Sequence, residues 1–406
     1  MNPLLGLLQA YPFERLRTLF ADVTPHPDYR PISLGIGEPR HATPPFIAQA
    51  FTDALNRQPS GLASYPSTAG DPALRRACAD WLQRRYGLQV DASSQVLPVN
   101  GSREALFALA QTVVDPGACG SVAGEKPWVV CPNPFYQIYE GAALLAGARP
   151  WFVAADPTRN FAQDWDAVPE AVWARTQLLY VCSPGNPAGA VMPLSEWKKL
   201  FTLSDRHGFV IASDECYSEI YFRDEPPLGG LQAASLLGRH DFRRLMAFTS
   251  LSKRSSVPGL RSGFVAGDAA LIQAFLLYRT YHGSAMSPVV QAASIAAWGD
   301  EAHVVENRAL YRARFERITP ILSEVLDVAL PDAAFYLWAG VSGSDTAFAR
   351  DLLALYNVTV LPGSFLARDV NGVNPGTGRI RMALVAETAE CEEAAHRIVQ
   401  FVRDAR

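Results

Sequence analysis

From about residue 96 to residue 268 the chain repeats one pattern. A short, largely apolar run ends in Gly, Pro, Ser or Asn, and a helix-length segment follows. The runs are Val96–Val99, Trp128–Val130, Arg149–Val153, Leu178–Cys182, Phe209–Ser213, Leu245–Phe248 and Phe264–Asp268. Runs apolar at consecutive positions, rather than at every second one, read as strands covered on both faces. Strands alternating with helices imply βαβ units and a mostly parallel sheet. The loops that follow parallel strands gather at one edge, which is where open α/β sheets bind ligands.

At 406 residues the chain exceeds one small core. The sequence predicts a large domain over 46–287, with an arm (1–45) and a C-terminal part (288–406) contributing to a smaller α+β domain. In that part a helical connector is predicted from Pro288 to Leu326, with Glu306, Arg308, Arg312, Arg314 and Glu316 on one charged face. Phe335–Trp338 reads as a strand and Thr346–Leu355 as a helix, followed by a strand and turn over Val358–Phe365. Arg379–Leu384 alternates charged and apolar residues, as a half-buried strand does, and a last helix runs to the end.

The hydrophobic fraction of 49% and charged fraction of 19% are those of a globular protein. A net charge of −4 without a basic block argues against a nucleic-acid partner. Six cysteines (Cys78, Cys119, Cys131, Cys182, Cys216, Cys391) form no C-x-x-C pair. They read as reduced, buried thiols of a cytoplasmic protein, and no metal site is expected. The N-terminus lacks the basic start of a signal peptide, and no run reaches the ~18 apolar residues of a membrane span.

The loops carry the chemistry. Of 36 basic residues only four are lysines. Lys198 and Lys199 sit in a polar helical segment. Lys253 lies among small residues just past an apolar strand, where a lysine loses solvation, its pKa falls and it can form a Schiff base. Asp214 follows the strand Phe209–Ser213 as a strand-end carboxylate or a helix cap. Asn186, between Gly185 and Pro187, has few conformations open to it. Asn100-Gly101-Ser102-Arg103 opens a helix, as an anion site or as ordinary capping. Tyr136 follows Trp128–Val130, to stack on a flat ring or to fill core. Asp71 and Pro72 mark a helix start.

Together these residues resemble the class I/II aminotransferases of pyridoxal-phosphate fold type I, over nearly the whole chain. The resemblance is carried by Gly37-Glu38-Pro39, by Tyr65 with Gly70 and Leu74-Arg75, and by Ser183-Pro184-Gly185-Asn186-Pro187. Asp214-x-x-Tyr217 and Ser250-x-x-Lys253 with Arg261 complete it. It implies pyridoxal 5′-phosphate as cofactor, bound to Lys253, which also moves the proton between Cα and C4′. It implies that Asp214 pairs with the ring nitrogen, Tyr217 and Asn186 with the ring oxygen, and Tyr136 with the ring face. Gly101, Ser102, Arg103 through its backbone, Ser250 and Arg261 would hold the phosphate, joined by Tyr65 from the partner subunit of a homodimer. Arg381, rather than Arg379, would clamp the substrate α-carboxylate, with Asn186 and the Gly37 N–H beside it. The substrates implied are amino acids and 2-oxo acids.

Four stretches (65–70, 133–140, 252–263 and 278–284) are similar to bacterial N-succinyldiaminopimelate aminotransferases of lysine biosynthesis. Such a substrate carries extra carboxylates, for which Arg30, Arg40, Arg279, His282 and Ser284 are candidates. The alternatives are an aspartate, aromatic or methionine aminotransferase, and a C–S lyase on the same scaffold.

Overall fold

A computed structural model describes residues 1–118 and 125–404. All seven runs form strands, and a two-residue strand completes an eight-stranded sheet. We label them β1 (Val96–Val99), β2 (Trp128–Asn133), β3 (Arg149–Asp156), β4 (Ala162–Gln163), β5 (Thr176–Cys182), β6 (Val210–Asp214), β7 (Leu245–Ser250) and β8 (Gly263–Gly267). Their order across the sheet is β1-β8-β7-β6-β5-β2-β3-β4. Strands β2, β3, β5, β6 and β7 are parallel, while β8 and β4 run against their neighbours.

Both faces are covered, which is why the runs are continuously apolar. Leu178 and Tyr180 point to one face with the helix Ser102–Val113, and Leu179 and Val181 to the other with the helices Pro72–Tyr86 and Leu194–His207. The predicted cap at Asp71 is present: its carboxylate accepts from the N–H of Ala73 at 2.8 Å.

A second sheet comprises β9 (Tyr336–Gly340), β10 (Leu361–Pro362) and β11 (Arg379–Ala383), in the antiparallel order β9-β11-β10. Ile32–Ser33 of the N-terminal arm pairs with Val358–Thr359. The core around this sheet includes Ile32, Tyr311, Phe315, Phe335 and Leu352, and also Cys216, Tyr217 and Ile220 from just beyond β6. The segment after Asp214 is thus packed by residues far away in the chain.

Three expectations are corrected. The predicted helical region 288–326 is two helices, Pro288–Gly299 and Ala302–Ser323. Asp300 between them is extended, and its carboxylate accepts from the N–H of His303 at 3.0 Å. The charges predicted to share one face of the second helix do not, since Glu306 and Glu316 are exposed and Arg314 is buried. Arg308 and Arg312 donate to the carbonyls of Glu219 and Tyr221, and buried Arg314 donates to that of Leu384 at 2.9 Å. Finally, β11 is buried on both faces except at Arg379, because other elements cover the side that carries Arg381. Cys78, Cys131, Cys216 and Cys391 are buried free thiols and Cys182 is half-buried, whereas Cys119 lies outside the described residues. Among the described residues no helix is long and apolar enough to cross a membrane.

Candidate active site

The C-terminal ends of β1, β2, β5, β6 and β7 meet the start of antiparallel β8 at one edge of the sheet. The loops there line a cavity of about 710 Å³. Ser250 ends β7, and its hydroxyl accepts from the N–H of Ser252 at 3.1 Å, capping the short helix Leu251–Arg254. This turn aims Lys253 into the cavity. Its backbone carbonyl and that of Arg254 accept from the Asn307 side chain at 3.1 and 3.3 Å. Burial lowers the pKa of the Lys253 ammonium; Arg261 and Arg103 push it the same way, against Cys216 and Asp214. A lysine so placed is more readily the free amine that a carbonyl carbon requires.

Asp214, the last residue of β6, is 4% exposed. No helix follows it, so it is a strand-end carboxylate and not a helix cap. Burial raises its pKa, opposed by hydrogen bonds from Cys216 and Tyr139 and by the charge of Lys253. A buried carboxylate of this kind calls for a cationic partner. Tyr217, three residues on, is buried with its hydroxyl 3.1 Å from that of Tyr336.

Ser102, Ser250, Ser252 and Arg261 all line the cavity. Gly101 precedes the helix Ser102–Val113 at φ +85°, and a Cβ there would lie 2.3 Å from Arg261 Nη2. Glycine therefore lets the guanidinium close over free helix N–H groups, a combination suited to an anion. Ser252, to which the sequence assigns no role, receives a 2.9 Å hydrogen bond from Ser250. Tyr136 lines the cavity and its hydroxyl accepts from the Arg103 side chain.

Arg381 is 4% exposed. It donates to Asn186 Oδ1 and to the Gly35 carbonyl, both at 3.0 Å, and lies over the Tyr336 ring at 4.3 Å. Its buried Nε has no hydrogen-bond partner among the described residues. Arg379 on the same strand instead faces Asp327 at 3.4 Å and is not among the residues that line the cavity, whereas Arg381 is. Gly37 also lines the cavity, against the Tyr336 hydroxyl.

Other candidates lie elsewhere. Arg30 pairs with Glu393 on the surface, and Arg40 lies 3.6 Å from Glu390. Arg279 is buried and donates to both oxygens of Glu104 at 2.6 and 2.8 Å, while His282 meets Ser284 at 2.8 Å. Since Glu104 also accepts from the Asn100 N–H at 3.0 Å, Arg279 braces the turn before Gly101. Tyr65 is fully exposed and lies outside the cavity of its own chain. Sequence reasoning missed Tyr11, Phe13, Tyr139 and Tyr336. Only Tyr139 lies in a motif, and its signal there is that of a core aromatic.

A half-buried lysine, a buried strand-end aspartate and a buried arginine at one edge of a mostly parallel sheet suit a pyridoxal-phosphate enzyme of fold type I. The family model for aminotransferase class I and II matches residues 29–398, and the chain belongs to that family, whose cofactor is pyridoxal 5′-phosphate. It is 33% identical over 377 residues to the LL-diaminopimelate aminotransferase of Nitratidesulfovibrio vulgaris (strain DP4), covering 91% of each. It is 32% identical over 372 residues to the enzyme of that name from Aquifex aeolicus, covering 90% of each. Among solved structures, an aminotransferase from Neisseria meningitidis Z2491 superposes with a TM-score of 0.94 at 55% identity, covering 99% of this chain and 100% of that one.

Proposed function

We propose that this pyridoxal-phosphate-dependent aminotransferase exchanges the amino group of N-succinyl-LL-2,6-diaminopimelate with 2-oxoglutarate. The observation that carries the reading is Arg381, buried beside Asn186 in the cavity that holds Lys253 and Asp214. Tyr11, Phe13, Glu38 and Gln137 also line this cavity, whose volume of about 710 Å³ is in the range of small-molecule sites. The similarity of residues 65–70, 133–140, 252–263 and 278–284 to succinyldiaminopimelate enzymes supports the acylated substrate. The names of the relatives favour a second reading, LL-diaminopimelate without the acyl group.

In this reading the cofactor, when bound, supplies an electron sink that makes the substrate α-proton removable. Lys253 tethers it and then takes and returns that proton at Nζ. Asp214 keeps the ring nitrogen charged. Tyr217 and Asn186 donate to the ring oxygen, and Tyr136 covers the ring. Ser102, Ser250, Arg261 and the N–H groups after Gly101 hold the phosphate. Arg381 orients the α-carboxylate with the Gly37 N–H. Tyr65 completes the phosphate site of a neighbouring subunit in a cytoplasmic homodimer.

Two experiments test this. The purified protein is yellow, and borohydride fixes the cofactor to Lys253; a Lys253→Ala protein that kept full turnover would defeat the assignment. Amino transfer to 2-oxoglutarate is then compared for N-succinyl-LL-diaminopimelate, LL-diaminopimelate, aspartate, phenylalanine and methionine. Preference for any but the first rejects the acylated substrate and leaves the aminotransferase. Pyruvate release from cysteine conjugates without an acceptor marks a lyase.

A further inference from the structure

We propose that Tyr336 is a positioning residue of this site, holding Tyr217 through its hydroxyl and Arg381 through its ring. The inference rests on the roles given above to Tyr217 and Arg381. Tyr336 opens β9, in the smaller sheet, and is 3% exposed. Its hydroxyl lies 3.1 Å from that of Tyr217, on the segment after β6 of the large sheet. Its ring lies 4.3 Å beneath the Arg381 guanidinium, within cation–π range. One side chain thus touches the group assigned to the cofactor's ring oxygen and the group assigned to the substrate's carboxylate.

The direction of the hydrogen bond follows from counting protons. Among the described residues, the Tyr336 hydroxyl has no other hydrogen-bond partner than Tyr217. Beyond it lies Gly37, where a Cβ would fall 2.1 Å from the hydroxyl oxygen, so the backbone presses against it without accepting. Both hydroxyls line the cavity, but the Tyr217 proton is the one assigned above to the ring oxygen, so the 3.1 Å contact is left to the proton of Tyr336. If Tyr336 donates to Tyr217, that proton is satisfied and the Tyr217 proton is free to point into the cavity, which Tyr217 lines.

Tyr217, accepting one hydrogen bond, becomes the stronger donor of the next. A strong donor at the ring oxygen drains negative charge from it, so the proton shared with Lys253 Nζ is released at lower pH. The ring of Tyr336 acts separately. It fills the space under Arg381, stabilises its charge and keeps its plane facing the cavity. The two functions are separable, because Phe keeps the ring and loses only the hydroxyl.

The experiment uses the holoenzyme, with glutamate as amino donor, and reads the pH midpoint of the cofactor's visible colour change together with KM and kcat. Tyr336→Phe is expected to raise the midpoint by roughly half a pH unit, in the direction of the larger rise in Tyr217→Phe. KM for glutamate stays within about twofold, because the ring beneath Arg381 remains. Tyr336→Leu is expected to raise KM about tenfold as well. A Tyr336→Phe midpoint equal to wild type, with Tyr217→Phe shifted, overturns the hydroxyl role alone. Equal KM values for the Phe and Leu variants overturn the ring's role. A Tyr217→Phe enzyme with an unmoved midpoint overturns the assignment of Tyr217 itself and this inference with it.

Discussion

Tyr139 donates a 2.7 Å hydrogen bond to Oδ2 of Asp214, and both residues are buried. The tyrosine ring is fixed in turn by stacking on Tyr180, with centroids 4.5 Å apart and planes 9° from parallel. Burial raises the pKa of Asp214, and this hydrogen bond, with that from Cys216, acts in the opposite direction and favours the ionised form.

Tyr139→Phe keeps the stack and removes the donor. A hydrogen bond to a charged group contributes about 1.5–3 kcal/mol. The variant is expected to bind pyridoxal phosphate at least about tenfold more weakly, with kcat reduced. Equilibrium titration of the apoenzyme measures this, and an unchanged dissociation constant would count against the pairing of Asp214 with the ring nitrogen.

The two arginines of β11 separate cleanly. Arg381→Ala removes the buried guanidinium from Asn186 and Gly35, and KM for glutamate is expected to rise about 100-fold. Arg379→Ala removes a contact with the exposed Asp327, and its kinetics are expected to stay within about twofold of wild type. Steady-state assays of both variants decide the clamp.

Gly101→Ala would combine φ +85° with a Cβ 2.3 Å from Arg261 Nη2. The backbone strain is on the order of 1–3 kcal/mol, and the guanidinium must swing away from the N–H groups after Gly101. The expectation is a lower Tm together with cofactor affinity reduced by about tenfold. A lower Tm with wild-type affinity would show that Arg261 does not hold the phosphate.

Glu215 gives the fold a pH dependence. It is buried, accepting from Gly230 N–H at 2.7 Å and Ser213 Oγ at 2.8 Å, and burial raises its carboxyl pKa to about 7. Between its unfolded value near 4.5 and about 7 the folded state keeps a proton that the unfolded state has lost. This group's contribution to stability therefore falls as pH rises through that window, by about 3 kcal/mol in all, and is flat above it. Glu215→Gln fixes the neutral form, and denaturant unfolding at pH 5 and pH 8 should show the variant gaining on wild type at the higher pH. An equal difference at both pH values would show that Glu215 is not protonated in the fold.

Much of the site is legible in the chain because each loop after a parallel strand carries its own chemistry. Asn186, Asp214 and Lys253 stand just past runs whose apolarity marks them as strands, and parallel direction alone brings such loops to one edge. Arg261 is legible only through family resemblance, since it reaches that edge because β8 runs the other way. None of the arginines proposed for extra carboxylates lines the cavity of its own chain. Nothing local distinguishes Arg30, which pairs with Glu393, or Arg279, which braces Glu104, from an arginine facing a cavity.

By itself the sequence determined the alternation of strands and helices, the lysine just past a strand and the residue types that suit one cofactor. These follow from hydrophobic periodicity and side-chain chemistry, which act over a few residues. Only the tertiary structure decided that Arg381 and not Arg379 faces the cavity, that Tyr139 supports Asp214, and that Tyr336 stands between Tyr217 and Arg381. Those contacts join residues 75, 119 and 195 positions apart. Which side chains meet across such distances depends on how two sheets pack around the segment after β6, and no local pattern encodes that.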